Sequence, residues 1–436
     1  MLVRLSAPEQ APASAQCGDL REKVGMPDWH HEPSAADPRP PTQPAASAPD
    51  DGVEKFIGDP EYEAAFGEEL KRTLDVDTWA TGPDWEGAVA RLTTEVRSAV
   101  DTEDATRRLV RDELLPRLGT APNAPAEAGV YRATPDELTK VHEGLLFPGR
   151  VEAVNGTTAS HATLPLGITQ IGVAISSYGG VSATFAQRVF RKEIAGRAAD
   201  PFQAALDIID RRHVRSGAGS SDALSELVRR GIMTYAERKI LIDKATADWR
   251  LGYRAPFPYE LLTGSGSMRF LEASLDVMRR IVEYERFVFV ASDPKERGLL
   301  TLGNALAAGE YAVIGTIESA IHPVVRGAHY ATNKKEKALD FVRQNGSRVL
   351  YGLYSASEQS PPCIFYAHRK HVHIAARIAI ADSILRPARG FPMLLDVADA
   401  TCKSAFGAAG FVGLVHNAYS QAGSPLRYFS DRETRG

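Results

Sequence analysis

Residues 150–192 contain the sequence that decides the fold: RVEAVNGTTASHATLPLGITQIGVAISSYGGVSATFAQRVFRK. The stretch opens with a short apolar segment at residues 151–154, and a second apolar segment follows at residues 168–178. The second segment has many β-branched residues and no charge, which predicts a central strand that is buried on both faces. The turn Gly179-Gly180 then leads to a third predicted strand at residues 184–190.

The first of these strands is followed by the polar element Asn155-Gly156-Thr157. A strand that stops at such an element places a side chain at the carboxyl edge of the sheet, where α/β proteins form their sites. An Asp at this position would predict a metal site directly, but the residue is Asn155. The sequence therefore predicts a functional edge and leaves its chemistry open.

The composition is that of a soluble globular protein of one or two domains. The chain has 436 residues, 44% apolar and 24% charged, and its net charge of −4 requires any nucleic-acid contact to come from a local patch. The three cysteines, Cys17, Cys363 and Cys402, form no CxxC pair, which argues against a structural zinc and for a reducing compartment. No apolar run approaches the ~20 residues that span a bilayer, and the first residues lack the apolar segment of a signal peptide. We therefore expect a cytoplasmic protein without membrane contact.

The pattern divides the chain into three parts. Residues 1–52 are rich in Pro, Ala, Ser and Asp, which predicts a disordered tail. Residues 53–140 show helical periodicity and acidic character, with a linker at residues 119–134, and predict a helical N-terminal region. Residues 141–436 predict the main domain.

Apolar strands alternate with longer helical segments in this main domain, which predicts an α/β fold with a mixed sheet. The further strands are predicted at residues 258–262, 287–290, 313–317 and 349–354. The helices are predicted at residues 136–145, 222–249, 268–284 and 391–406. Residues 363–380 predict a hairpin that turns at Arg369-Lys370.

Four carboxylates form the first candidate site: Glu237, Glu260, Asp396 and Asp399. Asp396 and Asp399 are three residues apart, so both can project from one face of a helix. Carboxylates that converge on the strand-end Asn155 would bind a hard cation through oxygen, and two such ions can support phosphodiester cleavage. The alternative is that all four are solvated charges on helix surfaces.

A basic block forms the second candidate. Nine Lys and Arg residues face only three acids between Arg326 and Arg377, and aromatic residues lie among them. Lysine and arginine contacts to phosphate, together with aromatic stacking of bases, are typical of nucleic-acid binding without sequence preference. We predict phosphate contacts from Lys334, Lys335, Arg369 and Lys370, with an ordinary solvated surface as the alternative.

Two weaker signals remain. His371 and His373 would share one strand face as a metal pair with His368 nearby, and a small-molecule hydrolase with zinc is the corresponding hypothesis. Gly264-Ser265-Gly266 precedes a helix and could hold a phosphate, but it lacks the Lys-Ser/Thr pair of a P-loop. The sequence thus argues against nucleotide hydrolysis by this chain.

The order of these elements resembles the NurA nuclease domain, an RNase H-like fold that works beside HerA-type hexameric ATPases. The matching landmarks are Asn155-Gly156-Thr157, Glu237 in YAERKIL, Thr263-Gly264-Ser265, the strand in RFVFVAS, and a C-terminal GFPMLLDVA segment that starts at Gly390. The resemblance covers roughly residues 145–436.

The resemblance implies a DNA nuclease that uses Mn²⁺ or Mg²⁺, forms a homodimer and acts with a HerA-like ATPase in DNA end processing or antiviral defence. It implies catalytic roles for Asn155, Glu237, Glu260 and Asp399, and metal binding by the same residues with Asp396. Asn155 and Thr263 stand where the family has Asp, Phe391 where it has Tyr, and Asp399 where it has His.

These departures leave three explanations open: a rebuilt metal site, a degenerate site, or a deliberate substitution at Asn155. The alternative function is a catalytically degenerate DNA-binding or scaffold subunit that has kept the fold.

Overall fold

The computed structural model describes residues 58–79, 85–162, 166–192, 227–327 and 332–426, apart from Asp293 and Lys295, together with the isolated Leu206 and Ile209. The predicted tail at residues 1–52 lies outside these ranges, as does most of the segment between residues 193 and 226. Nine strands form one sheet. They are β1 Gly129–Arg132, β2 Val151–Ala162, β3 Leu166–Ser176, β4 Ser182–Lys192, β5 Trp249–Tyr253, β6 Phe287–Ala291, β7 Glu310–Thr316, β8 Val349–Tyr354 and β9 Cys363–His368.

Helices connect and cover these strands. The α-helices in the described ranges are α1 Asp59–Phe66, α2 Leu70–Leu74, α3 Trp85–Leu109, α4 Pro135–Val141, α5 Met233–Asp243, α6 Tyr259–Leu262, α7 Met268–Tyr284, α8 Arg297–Asn304, α9 Ile317–Gly327, α10 Thr332–Asn345, α11 Val372–Ser383, α12 Met393–Phe406 and α13 Ala408–Gln421. Wider π turns extend α3 and α4 and precede α5.

The sheet is mixed, in the order β1-β7-β8-β9-β6-β5-β2-β3-β4. The pairs β2–β5 and β5–β6 are parallel, and the other neighbours are antiparallel. The predicted α/β architecture is confirmed. The ladder between β2 and β5 ends at the pair Ala153 and Leu251, after which β2 continues along β3 alone. We call the edge at which β5 and β6 end the outgoing edge, and the edge at which they begin the ingoing edge.

Alternation along the strands creates two buried faces. Val154, Val173 and Ile175 pack in a core with residues of α5, α7 and α10, on what we call the α5–α7 face. Val151, Ala153 and Leu251 pack in the other core with residues of α4, α11 and α12, on the α11–α12 face. Neighbouring residues of a strand point to opposite faces, so Val151 and Ala153 contribute to one core and Val154 to the other.

Several predicted elements are wrong in their type or length. β2 does not end at Asn155 but continues to Ala162. Residues 258–262 form the short helix α6, since an apolar run of this length has no distinctive period. The helix predicted at residues 222–249 ends at Asp243, and Trp249 begins β5.

The predicted hairpin at residues 363–380 is also wrong. β9 ends at His368 and a short 3₁₀ turn, Arg369–His371, leads into helix α11. The His368 Nδ1 accepts a hydrogen bond from the Lys370 backbone N–H at 3.3 Å, which closes this turn. A side chain that accepts from the backbone two residues later favours a turn over a continued strand.

The N-terminal helical region contacts the sheet at several points, among them β1, Arg111 and the core residues Val110 and Leu115. Residues 129–132 of the predicted linker form β1, which pairs with β7. Arg111, just after α3, binds both carboxylate oxygens of Glu310 in β7, at 2.8 and 2.9 Å. The division of the chain at residue 140 stays a prediction. Within the described ranges, no helix combines the length and apolar character needed to cross a membrane.

A candidate site at the outgoing edge of the sheet

Asn155 lies where the parallel strands β2 and β5 separate. It pairs with Ala174 of β3 and, if the β2–β5 register continued, would be level with Tyr253. Its side chain is half-buried, and its Oδ1 accepts a hydrogen bond from the Gly156 N–H at 2.9 Å. Asn155 therefore lies at the outgoing edge although β2 continues past it, because the partner strand is the element that ends there.

Helix α12 covers β2 and β3 on the α11–α12 face of the sheet. The Thr401 hydroxyl lies 3.4 Å from that of Ser176, and Phe406 packs directly over Gly172. Cys402 is buried between them, and burial raises the pKa of its thiol to about 12. Asp396 and Asp399 lie on the same helix, three residues apart.

Glu237 approaches the same stretch of β2 from the other face. It lies on α5, is 5% exposed, and a Cβ on Gly156 would lie 2.9 Å from its Oε1. The glycine is thus what permits the carboxylate to reach the strand. Burial is the main cause of the raised pKa of the Cys402 thiol, and the charges of Glu237 and Asp399 add to it.

Arg238 neutralises Glu237. Its Nη1 lies 2.6 Å from the Glu237 Oε2, and both side chains are buried. The Arg238 Nη2 donates to the carbonyls of Tyr253 and Ala255 at 3.0 and 2.9 Å, so the arginine also fixes the end of β5. Burial raises the pKa of Glu237 and lowers that of Arg238, and their mutual attraction opposes both shifts. Removing one partner of such a pair leaves an uncompensated buried charge.

Glu260 lies farther out, on α6. It is half-buried and acts electrostatically on Arg238, while Arg254 acts on Glu237. Glu260 and Arg254 are thus further charged groups that act on the buried Glu237–Arg238 pair.

The carboxylates of α12 are paired as well. Asp396 binds Arg386 through Oδ2 and Arg389 through Oδ1, both at 2.9 Å. Burial raises the pKa of Asp396, and the two arginines oppose that shift. Asp399 binds Lys403 at 2.9 Å, one turn along the helix.

These donors do not fit a divalent cation in the arrangement described. The Asn155 Oδ1 accepts a hydrogen bond from the Gly156 N–H, and three of the predicted carboxylates form close ion pairs with arginine or lysine. Across residues 58–426, outside the gaps named above, no three side chains of His, Cys, Asp or Glu form a group that could hold a metal ion. The assignment of metal binding to Asn155, Glu237, Glu260, Asp396 and Asp399 stays a prediction.

Two of the residues predicted to contact phosphate lie at the ingoing edge. Arg369 binds both oxygens of Glu127, and Lys370 lies 2.6 Å from Glu285. The neighbouring His371 ring is 6.0 Å from Trp249, the first residue of β5. Arg369 and Lys370 are thus separated from Asn155 by the length of β5.

Lys334 and Lys335 lie in the first turns of α10, on the α5–α7 face. Lys337 of the same helix binds Glu272 near the start of α7 at 2.5 Å. Because α7 begins at the outgoing edge, these lysines lie toward that edge. Helix α7 lies between them and α5.

The histidines do not form the predicted strand pair, because His373 lies on helix α11 and His371 ends the preceding turn. His373 Nδ1 lies 3.1 Å from the Tyr311 hydroxyl, and its ring contacts Tyr131. Burial lowers the pKa of His368 to about 4, which keeps it neutral. These contacts give the histidines structural roles within the described residues.

Sequence reasoning missed four arginines at the outgoing edge: Arg238, Arg254, Arg386 and Arg389. Arg386 and Arg389 lie 10 and 7 residues before Asp396, and Arg238 directly follows Glu237. The adjacency of Arg238 to Glu237 could have been found in the sequence, whereas the pairing of Arg386 and Arg389 with Asp396 gives no local signal.

The sheet order and the edge site define an α/β protein with helices on both faces of a mixed sheet. No protein-family model matches the sequence, and no curated protein sequence matches it. The chain is similar to the solved structure of the NurA nuclease from Sulfolobus solfataricus, with 10% identity over 80% of this chain and 100% of that chain and a TM-score of 0.39.

This chain is also similar to two further solved structures. For NurA bound to dAMP and manganese, the identity is 8% over 79% of this chain and 98% of that chain, with a TM-score of 0.42. For human ENDOV, the identity is 12% over 68% of this chain and 96% of that chain, with a TM-score of 0.25. The structures to which this chain is similar thus include the nucleases that its motif order resembles.

Proposed function

We propose that this chain is a DNA-binding subunit of the NurA-like kind whose metal site is degenerate. The observation that carries the proposal is the neutralisation of the candidate ligands: Glu237 by Arg238, Asp396 by Arg386 and Arg389, and Asp399 by Lys403. Two divalent ions bring four positive charges, and a site for them needs carboxylates whose charge is not already compensated. Asn155 is neutral where the resemblance implies Asp.

The pairing of Glu237 supports this proposal most directly. Both members of the pair are almost inaccessible to solvent, so Arg238 cannot move away without leaving a buried charge unpaired. Arg238 also bonds two carbonyls at the end of β5. A cation at this position would have to displace an arginine that holds the strand.

Metal-dependent DNA cleavage with Mn²⁺ or Mg²⁺ is the second candidate. One observation favours it: Glu237 lies against Gly156, the residue that follows Asn155, and the helix that carries Asp399 packs on the other face of the same sheet. A rebuilt site would use these three residues, with Glu260 farther out.

The test is a cleavage assay on end-labelled linear DNA with Mn²⁺ and with Mg²⁺. The chain as it stands is compared with Asn155→Asp, Asp399→Asn and the matched control Asp340→Asn, whose carboxylate pairs with Arg343 on the exposed side of α10. We expect DNA binding without cleavage by the unsubstituted chain. If Asn155→Asp cleaves DNA, the loss of the metal site is due to that one residue. If Asn155→Asp does not cleave DNA, the ion pairs of the carboxylates also contribute to the loss.

Cleavage by the unsubstituted chain that Asp399→Asn abolishes and Asp340→Asn leaves unchanged would overturn degeneracy in favour of the second candidate. A complete lack of DNA binding at low salt would overturn both candidates. Thermal melting of each variant separates loss of function from loss of fold.

The proposed partners follow from the resemblance to the NurA nuclease domain. We infer that the chain works as a homodimer with a HerA-like hexameric ATPase, in the cytoplasm, in DNA end processing or antiviral defence. The described residues of α3 from Val89 to Leu109 are all exposed, which leaves the N-terminal helix accessible to such a motor.

A further inference from the structure

Three exposed arginines surround an aromatic pair at the outgoing edge. The Arg254 guanidinium lies over the Tyr253 ring at 5.3 Å, and the Arg389 guanidinium lies over the Phe391 ring at 5.4 Å. The two rings contact each other edge to face, with centroids 5.8 Å apart. Arg386 joins the group because it shares the Asp396 carboxylate with Arg389. We call Arg254, Arg386 and Arg389 the arginine edge.

The backbone that presents Arg254 is held firmly. Arg254 has a φ of 64°, a left-handed conformation that is uncommon for a residue with a side chain. Its N–H donates to the Val290 carbonyl at 2.8 Å, and the buried Arg238 binds the carbonyls on both sides of it. Residues in such strained conformations persist only where the surrounding structure holds them, and they are frequent at functional sites.

Asp396 and Phe391 fix the other two arginines. Asp396 holds one terminal nitrogen of Arg386 and one of Arg389, while each arginine side chain remains 52% exposed. Phe391 is buried under Arg389, and the Gly390 carbonyl before it accepts a hydrogen bond from Tyr354. A planar guanidinium carries five N–H donors, so an arginine held by one carboxylate still has donors for a second anion.

We propose that the arginine edge binds the phosphate groups of DNA. Arginine matches phosphate oxygens with paired N–H donors, and contact with an aromatic ring keeps its planar group oriented. In a chain with a net charge of −4, a local group of this kind is what an anionic polymer requires. The inference rests on the proposed DNA-binding function and names the residues that carry it, in place of Arg369 and Lys370 at the ingoing edge.

In this proposal the Asp396 carboxylate competes with DNA phosphate for Arg386 and Arg389. Its two oxygens occupy the arginines as two phosphate oxygens would. The neutral substitution Asp396→Asn should therefore release donors and strengthen DNA binding, whereas a purely structural role for the ion pairs would give weaker binding or none.

The experiment measures binding of the full chain to fluorescently labelled duplex DNA by anisotropy, over a series of salt concentrations. The variants are Arg254→Gln, Arg386→Gln, Arg389→Gln and Asp396→Asn. The control is Arg369→Gln, which removes an arginine that is also paired with a carboxylate, that of Glu127, but lies at the ingoing edge. Inorganic phosphate at matched ionic strength serves as a competitor.

We expect each arginine-edge variant to weaken binding by about five- to tenfold at low salt, and to lower the slope of log affinity against log salt by about 0.9. Asp396→Asn should strengthen binding, and Arg369→Gln should change it by less than about twofold. Inorganic phosphate should displace DNA only weakly, because one phosphate cannot contact the whole edge.

The outcomes separate the two proposals. If the unsubstituted chain binds no DNA, the proposed function fails. If it binds DNA and the three arginine variants bind equally well, or only Arg369→Gln weakens binding, the arginine edge fails and the proposed function stands. Displacement of DNA by stoichiometric inorganic phosphate would instead assign the edge to a free phosphate ligand and overturn the inference.

Discussion

The buried Asp382 shows how a single residue positions the edge. It lies on α11, is fully buried, and accepts hydrogen bonds from the Tyr178 hydroxyl at 2.6 Å and from the Leu394 N–H at 2.9 Å. The second bond satisfies an N–H in the first turn of α12, the helix that carries Asp396 and Asp399. Burial raises the pKa of Asp382 to about 6, against the effect of both hydrogen bonds.

The raised pKa predicts a pH dependence of stability. Between pH 3.8 and about 6 the folded state binds more protons at Asp382 than the unfolded state, so the free energy of unfolding falls as the pH rises through that window. A shift of this size corresponds to about 3 kcal/mol. In Asp382→Asn this contribution disappears, and the stability difference between the variant and the unsubstituted chain should move in favour of the variant from pH 4 to pH 7.

Urea denaturation at both pH values measures the difference. Asp399→Asn is the comparison, since that carboxylate is on the surface of α12 and its substitution removes no buried acid. A stability difference for Asp382→Asn that does not change with pH would contradict the prediction.

At the scale of elements, the packing of α12 on the sheet depends on close approach to β3. Phe406 lies directly over Gly172, so a methyl group there would collide with the ring. We predict that Gly172→Ala destabilises the protein by about 1–3 kcal/mol through overpacking, and lowers the melting temperature accordingly. Gly298→Ala is the matched control, because nothing lies within 4 Å of that position in helix α8. Equal melting temperatures for the two variants would show that α12 does not rest on β3.

A comparison of the predicted helices and strands with the observed ones shows which elements the sequence could predict. The strands of residues 287–290 and 349–354 and the helix of residues 268–284 are confirmed, because each has a clear apolar period or an uncharged β-branched run. The predictions for residues 258–262 and 363–380 are wrong. Their apolar runs are short or interrupted by polar residues, and turn hydrogen bonds decided the structure.

At the scale of the whole molecule, the sheet separates two groups of charges that lie together in the sequence. The basic block at residues 326–377 includes Lys334 and Lys335 on α10, and Arg369 and Lys370 at the ingoing edge. A single surface cannot be inferred from such a block, because β8 and β9 carry the chain across the sheet between its members.

The homodimer is a prediction at this scale. Val89, Leu92, Val96 and Val100 form an apolar stripe on α3, and each is between 49% and 63% exposed. A stripe at helical spacing usually packs against another surface. We expect light scattering to give a mass of twice 47.2 kDa, and Leu92→Glu to reduce it if the stripe forms the contact. A mass of 47.2 kDa for the unsubstituted chain would contradict the dimer.

The α/β class and most of the strands could be predicted from the sequence alone. These follow from apolar periodicity, which is a local property of the chain. Only the tertiary structure decided the state of the charges. The pairing of Arg238 with Glu237 in a buried site, of Arg369 with Glu127 242 residues away, and of two arginines on Asp396 depends on distances in space. Those distances determine whether a carboxylate is free to hold a cation, and residue order does not encode them directly.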